Sequence, residues 1–304
     1  MKLELRGLLA APHTPFDANG DVNLSVIPIQ VDALVRNGVA GAFVCGTTGE
    51  GLSLTLSERM HVLDAWLAAK PAGFRIIAHV GAAAERDAIT LTKHAVAAGV
   101  DAVAALPCFY HRPAGVDAAV DSLAAIADAA ENAPTYYYHL PGLTQVDFSM
   151  MDFMAKASRM VNFAGCKYSK PDLIEYAQMV REYGSVYDLP WGCDEHYLSA
   201  TLAGAVTFVG STYNHSAQLY HKLQEAIDAG RLTDARQHSG NVQQLIRMLV
   251  TGGVIPTQKC LLDAVGIAVG GVRSPLRFSG DASLISNLLA TGWIDAEQAS
   301  FLDA

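Results

Sequence analysis

The chain has 304 residues, of which 51% are hydrophobic and 17% charged, and its formal net charge is −9. That composition supplies a large core and excludes a disordered chain, and the acidic balance excludes a nucleic-acid binder, which needs clustered Lys and Arg to neutralise phosphates. The opening "MKLELRGLLAAPHTPF" carries charges and too short an apolar run before Pro12 for a signal h-region or a membrane span. A cytoplasmic protein is expected, with small molecules as partners and neither nucleic acid nor membrane.

In chain order, short apolar runs alternate with amphipathic stretches. Strands are predicted at 7–11, 41–45, 75–80 and 102–106, with helices at 24–37, 56–69, 83–98 and 116–130. The second half repeats the pattern, with strands at 135–139, 162–167, 186–191 and 206–209 and helices at 149–157, 171–182, 196–203 and 217–229. Thr55 followed by Glu58 reads as a capping box, and glycines at 38, 99, 184 and 230 read as helix stops.

Strict alternation over eight units predicts a parallel sheet closed into a (β/α)8 TIM barrel occupying 1–230. A helical extension at 231–304, with helices at 232–251, 256–268 and 284–289, is expected to pack on it. The dinucleotide fingerprint GxGxxG is missing after the early strands, and "GTTGEG" (46–51) lacks the Lys-Ser/Thr pair of a P-loop.

Barrel enzymes build their sites at the C-terminal ends of the strands. Those ends read "AAPHTP", "CGTTGE", "HVG", "LPCFYHRP", "YYYHLP", "GCKYS", "WGCDE" and "GSTYN". Lys167 closes an apolar run, and burying an ammonium without a partner is costly, so the amine is neutral, paired, or snorkelling to the mouth. In "TYYYHLP", Tyr136 and Tyr138 share one side of the strand, where a phenol could exchange a proton with something held by Lys167 or could fill an aromatic layer. Thr47 and Thr48 sit in a glycine turn suited to cradling a carboxylate, although such turns are also ordinary. Asp194, Glu195, Ser211 and Thr212 offer further polar groups, with a helix-start role as the plain alternative for the two acids. Lys170 and Lys259, beside predicted helix starts, are assigned no chemistry. The five cysteines (45, 108, 166, 193 and 260) are scattered, without CxxC or histidine at ligand spacing, so no metal is expected.

Taken together, these ends resemble the dihydrodipicolinate synthase / N-acetylneuraminate lyase family of Schiff-base pyruvate lyases. The resemblance runs from "AAPHTPFDANGDVN" to "GGVRSPLR". It implies a (β/α)8 barrel with a C-terminal helical extension, a homotetramer, and an imine to the enzyme in place of a cofactor. By that resemblance Lys167 in "GCKYS" is the imine-forming lysine, Tyr138 in "YHLP" the catalytic tyrosine, and Thr47 and Thr48 in "GTTGE" the carboxylate-binding pair. Tyr110 in "CFYHRP" matches a tyrosine that some members lend to a neighbouring subunit. Leu143 stands where synthases carry an arginine, which favours the lyase branch. In that branch the positions of Ser169, Gly192, Asp194, Glu195 and Ser211 hold a polyol chain. The implied activity is class I aldol cleavage of N-acetylneuraminate to N-acetylmannosamine and pyruvate, reversibly. Another keto-sugar acid aldolase, dehydratase or synthase of the family, or a non-catalytic sensing barrel, stays as the alternative.

Overall fold

The structure is a computed structural model that describes residues 2–295. Seven strands form one parallel sheet: β1 (Gly7–Ala10), β2 (Gly41–Val44), β3 (Arg75–His79), β4 (Ala102–Ala105), β5 (Thr135–His139), β6 (Phe163–Tyr168) and β7 (Thr207–Gly210). Their order is β6-β5-β4-β3-β2-β1-β7. The segment predicted as a further strand at 186–191 is not a ladder strand, which corrects the sequence reading. Pro190 has no N–H to give a ladder, so the segment pairs only through isolated bridges.

Those bridges nonetheless close the sheet. On one side Asp188 N donates to Ala164 O (2.9 Å), Cys166 N to Asp188 O (3.1 Å) and Tyr168 N to Pro190 O (2.8 Å). On the other, Trp191 N donates to Thr207 O (2.9 Å) and Val209 N to Trp191 O (2.8 Å). The result is the α/β barrel that the alternating pattern predicts.

Strand side chains alternate between two apolar clusters. Leu9, Phe43, Ile77, Ala104, Tyr136, Tyr138 and Val209 fill the barrel interior. Val44, Ile76, Val103, Tyr137 and Phe208 face the surrounding helices, where Tyr137 stacks on Phe153 at 4.1 Å. The predicted shared side of Tyr136 and Tyr138 is the inside.

The first helices are α1 (Ile27–Arg36), α2 (Leu56–Ala69), α3 (Glu85–Ala97), α4 (Val116–Ala129), the short α5 (Pro141–Thr144), α6 (Met150–Ala157) and α7 (Leu173–Tyr183). They are followed by α8 (Tyr197–Leu202) and α9 (Ala217–Asp228). The predicted helix at 24–37 splits, because a 3-10 turn at Leu24–Val26 precedes Pro28, which starts the α-helix proper. The capping box of Thr55 and Glu58 forms at the start of α2.

The extension consists of α10 (Leu232–Thr251), α11 (Val254–Ala264) and α12 (Ala282–Ala290). The third of these was expected from 284, and α11 stops short of the predicted 268 because Gly266 turns left-handed at φ +89. Alpha-helix α10 lies against α9, and α11 carries buried Gln258 and Lys259 toward the barrel. Lys259 is thus a buried mid-helix residue, in place of the helix-start position read from the sequence. Among the described residues no helix is long and apolar enough to cross a membrane.

Candidate active site

The aim of Lys167 depends on a bulge. Thr135 pairs with Phe163 and Tyr136 with Gly165, so Ala164 has no opposite number in β5. Phe163 faces the helices and Ala164 the interior; strict alternation would then turn Cys166 inward and Lys167 outward. The extra residue reverses the phase. Cys166 joins the helix-facing cluster, and Lys167 falls in register with inward-facing Tyr138. Gly165 permits this, since its φ is +147 and a Cβ there would lie 1.8 Å from the Asp188 carbonyl oxygen.

Lys167 is 5% exposed, and among the described residues no carboxylate lies within ion-pairing distance of it. Its Nζ sits 3.9 Å from the centroid of the Tyr138 ring and 4.3 Å from that of Phe43. Tyr138 packs edge-on against Phe43 (5.3 Å) and His79 (5.9 Å). The amine is therefore walled by ring faces, with no salt bridge to fix it among the described residues. His79 Nδ1 lies 3.0 Å from the Cys45 carbonyl, an acceptor that assigns the proton to that nitrogen. Burial, with the Arg59 charge adding to it, holds His79 well below the usual imidazole range, so this neighbour of the lysine is neutral.

Thr47 reaches the same spot from the β2 end. Its Oγ1 is 3.4 Å from the Tyr138 hydroxyl, and Thr48 follows it in the half-buried turn. The turn is tied down by Thr14, whose hydroxyl donates to Gly49 O at 2.6 Å, and by Gly51 N donating to Gly46 O at 3.1 Å. Lys167, Tyr138 and Thr47 thus form one cluster.

The other predicted residues follow the C-terminal ends of the strands without joining that cluster. Among the described residues the Ser169 hydroxyl is buried without a partner, beside Gly192, where a Cβ would lie 1.9 Å from it. Asp194 is buried and its Oδ2 accepts from the Thr212 hydroxyl (2.6 Å) and backbone N–H (3.1 Å). Burial pushes the Asp194 carboxyl up, opposed by those donors and by the charge of Lys167. Ser211 accepts from Gln258 Nε2 of α11 at 3.0 Å. Glu195 is half-exposed, 3.9 Å from His196. Tyr110 stands apart, 79% exposed, with its ring against His111.

Leu143 helps line an apolar cavity of about 380 Å³ beside Thr47 and His79, with Leu106, Phe109 and Leu140. Among the described residues no cationic side chain lines it. Phe43 and His79 are site residues that the motif reading passed over. Phe43 looked like ordinary strand filling, and His79, the first residue of "HVG", was visible only as a strand end.

The sequence profile described as the Dihydrodipicolinate synthetase family matches residues 4–282. The N-acetylneuraminate lyase of Rattus norvegicus is 36% identical over 282 residues, covering 91% of this chain and 88% of that protein. Among solved structures, the N-acetylneuraminate lyase of Proteus mirabilis superposes with a TM-score of 0.90 at 34% identity, covering 98% of this chain and 99% of the other. The N-acetylneuraminate lyase (sialic acid aldolase) of Aliivibrio salmonicida gives 0.91 at 34% identity, covering 100% and 99%.

Proposed function

The chain belongs to the dihydrodipicolinate synthetase family, and from that premise we propose that it cleaves N-acetylneuraminate to N-acetylmannosamine and pyruvate through an imine on Lys167. It is a Schiff-base aldolase and a carbon–carbon lyase. The observation that carries the residue assignment is the in-register pairing of Tyr138 with Lys167 under the Thr47 hydroxyl.

In the proposed cycle the carboxylate of the open-chain substrate rests on Thr47 and Thr48. The neutral Lys167 amine adds to the C2 ketone, and loss of water leaves a protonated imine, which is the electron sink. Tyr138, left as the phenolate after giving its proton to the departing water, accepts the proton of the C4 hydroxyl, directly or through the substrate carboxylate, as the C3–C4 bond breaks. Its electron pair enters the enamine and the aldehyde departs. Protonation of the enamine at C3 and hydrolysis of the imine release pyruvate and regenerate the amine. The iminium supplies the stabilisation that a metal ion supplies in a metal-dependent aldolase, so the cycle needs no cofactor.

The remaining polyol would meet Ser169, Gly192, Asp194, Glu195 and Ser211. The unpartnered Ser169 hydroxyl supports this, since a buried hydroxyl without a partner is costly until a ligand supplies one. The apolar lining at Leu143 supports a lyase over a synthase, whose second substrate brings a carboxylate. Exposed Tyr110 would serve a neighbouring subunit of a cytoplasmic homotetramer. Pyruvate release from a panel of keto-sugar acids tests the substrate: N-acetylneuraminate should give the highest kcat/KM, and a preference for an acid without the acetamido group would overturn it.

A further inference from the structure

The turn that carries Thr47 and Thr48 is bounded by two side-chain-bearing residues in the left-handed region, Cys45 at φ +58 and Glu50 at φ +53. Glycine would adopt that conformation without strain, so a glutamate there has to be held by its side chain. Both the Glu50 and the Lys259 side chains are 1% exposed, and Lys259 Nζ lies 2.9 Å from Glu50 Oε1. The other carboxylate oxygen, Oε2, accepts from the backbone N–H of Arg273 at 2.8 Å. Lys259 Nζ also donates to Gly271 O at 2.6 Å and rests over the Phe16 ring at 4.0 Å. Burial draws the Lys259 amine below the usual lysine range while Glu50 pulls it up.

Among the described residues, both groups that hold the Glu50 side chain therefore come from the helical extension. The Glu50 backbone in turn is continuous with the turn, its N–H donating to Thr47 O at 3.1 Å. A buried ion pair is weak evidence for net stability, but here neither charge can move without leaving the other buried and unpaired.

We infer that Glu50 and Lys259 are positioning residues for the carboxylate subsite, the extension gripping the far end of the Thr47–Thr48 turn so that the Thr47 hydroxyl is held beside Tyr138. This rests on the proposed carboxylate role of those threonines. The extension is then part of the site's construction as well as a cover for the barrel.

The test is the half-saturating pyruvate concentration for borohydride trapping, read beside the melting temperature and the steady-state constants. Lys259→Met should raise the half-saturating concentration about 10-fold to 100-fold, the scale of a misplaced binding group, with a much smaller change in kcat. Glu50→Gln keeps one acceptor oxygen but turns its amide N–H groups toward the other donor, so it should raise the half-saturating concentration in the same direction. The double variant Glu50→Gln/Lys259→Met removes the buried charges together and decides the matter if Lys259→Met does not fold. It should melt as a folded protein yet keep the raised value. A folded Lys259→Met, or failing that the double variant, with unchanged half-saturation overturns the inference. Thr47→Val and Thr48→Val serve as the reference: if they too leave half-saturation unchanged, the carboxylate reading itself falls. If they raise it and the Lys259 variants do not, only the positioning role falls.

Discussion

Tyr138 and Lys167 occupy directly opposed positions on β5 and β6, and the lysine nitrogen lies 3.9 Å from the centre of the phenol ring. The proposed proton-transfer group and the proposed nucleophile are thereby fixed on rigid strands, with no loop between them. Backbone pairing sets their separation, which suits a reaction in which one substrate carbon is held by the amine while a proton moves two carbons away.

That opposition depends on Gly165. Gly165→Ala should destabilise the fold by about 2–4 kcal/mol through left-handed strain and overlap with the Asp188 carbonyl, and any folded fraction should lose imine formation as Lys167 loses its inward aim. Urea unfolding and pyruvate trapping check the two effects. Parent-like stability with full trapping would show that the bulge does not aim the lysine.

Tyr138→Phe keeps the ring faces around the amine and removes the hydroxyl near Thr47. The expected outcome is a folded protein that still forms the pyruvate imine but cleaves substrate about 100-fold to 10,000-fold more slowly, the range for losing a general acid–base group. Single-turnover cleavage and borohydride trapping separate the steps. A kcat within a few-fold of the parent would remove Tyr138 from the proton transfer.

The strand ends were legible because barrel chemistry concentrates there: "GCKYS", "YHLP" and "GTTGE" each supply a residue of the Lys167–Tyr138–Thr47 cluster. The bulge was not, because a glycine in an apolar run says nothing about whether Ala164 finds a partner across the ladder. Pro190 is a signal in the sequence against a regular strand at 186–191, which the alternation of apolar runs alone does not register. Lys259 was misread for a different reason. Its partner, Glu50, lies in another part of the chain, and only tertiary structure can distinguish a buried, paired lysine from a solvated one.

A second grip joins the extension to α2, where Arg273 donates to Glu58 Oε1 at 2.5 Å and to Oε2 at 2.9 Å. The hydrogen bond from Arg273 is the main reason the Glu58 carboxyl falls from 4.5 to about 2, helped by the capping contacts of Thr55. A depressed folded-state value means that the stabilisation is complete above the unfolded value and is lost as pH falls toward the folded one. Glu58→Gln should therefore be less stable than the parent at pH 7, with the gap narrowing from about pH 4.5 downward toward pH 2. Urea midpoints across that range decide it, and a gap independent of pH would assign the loss to packing alone.

The central claim is that Lys167 forms the imine, and the most direct measurement is borohydride reduction in the presence of pyruvate followed by peptide mass spectrometry. One reduced pyruvyl group on Lys167, absent without pyruvate and absent in Lys167→Ala, is the predicted result. Folded protein that binds pyruvate and carries no adduct, or carries it on another lysine such as Lys170 or Lys259, would contradict the account.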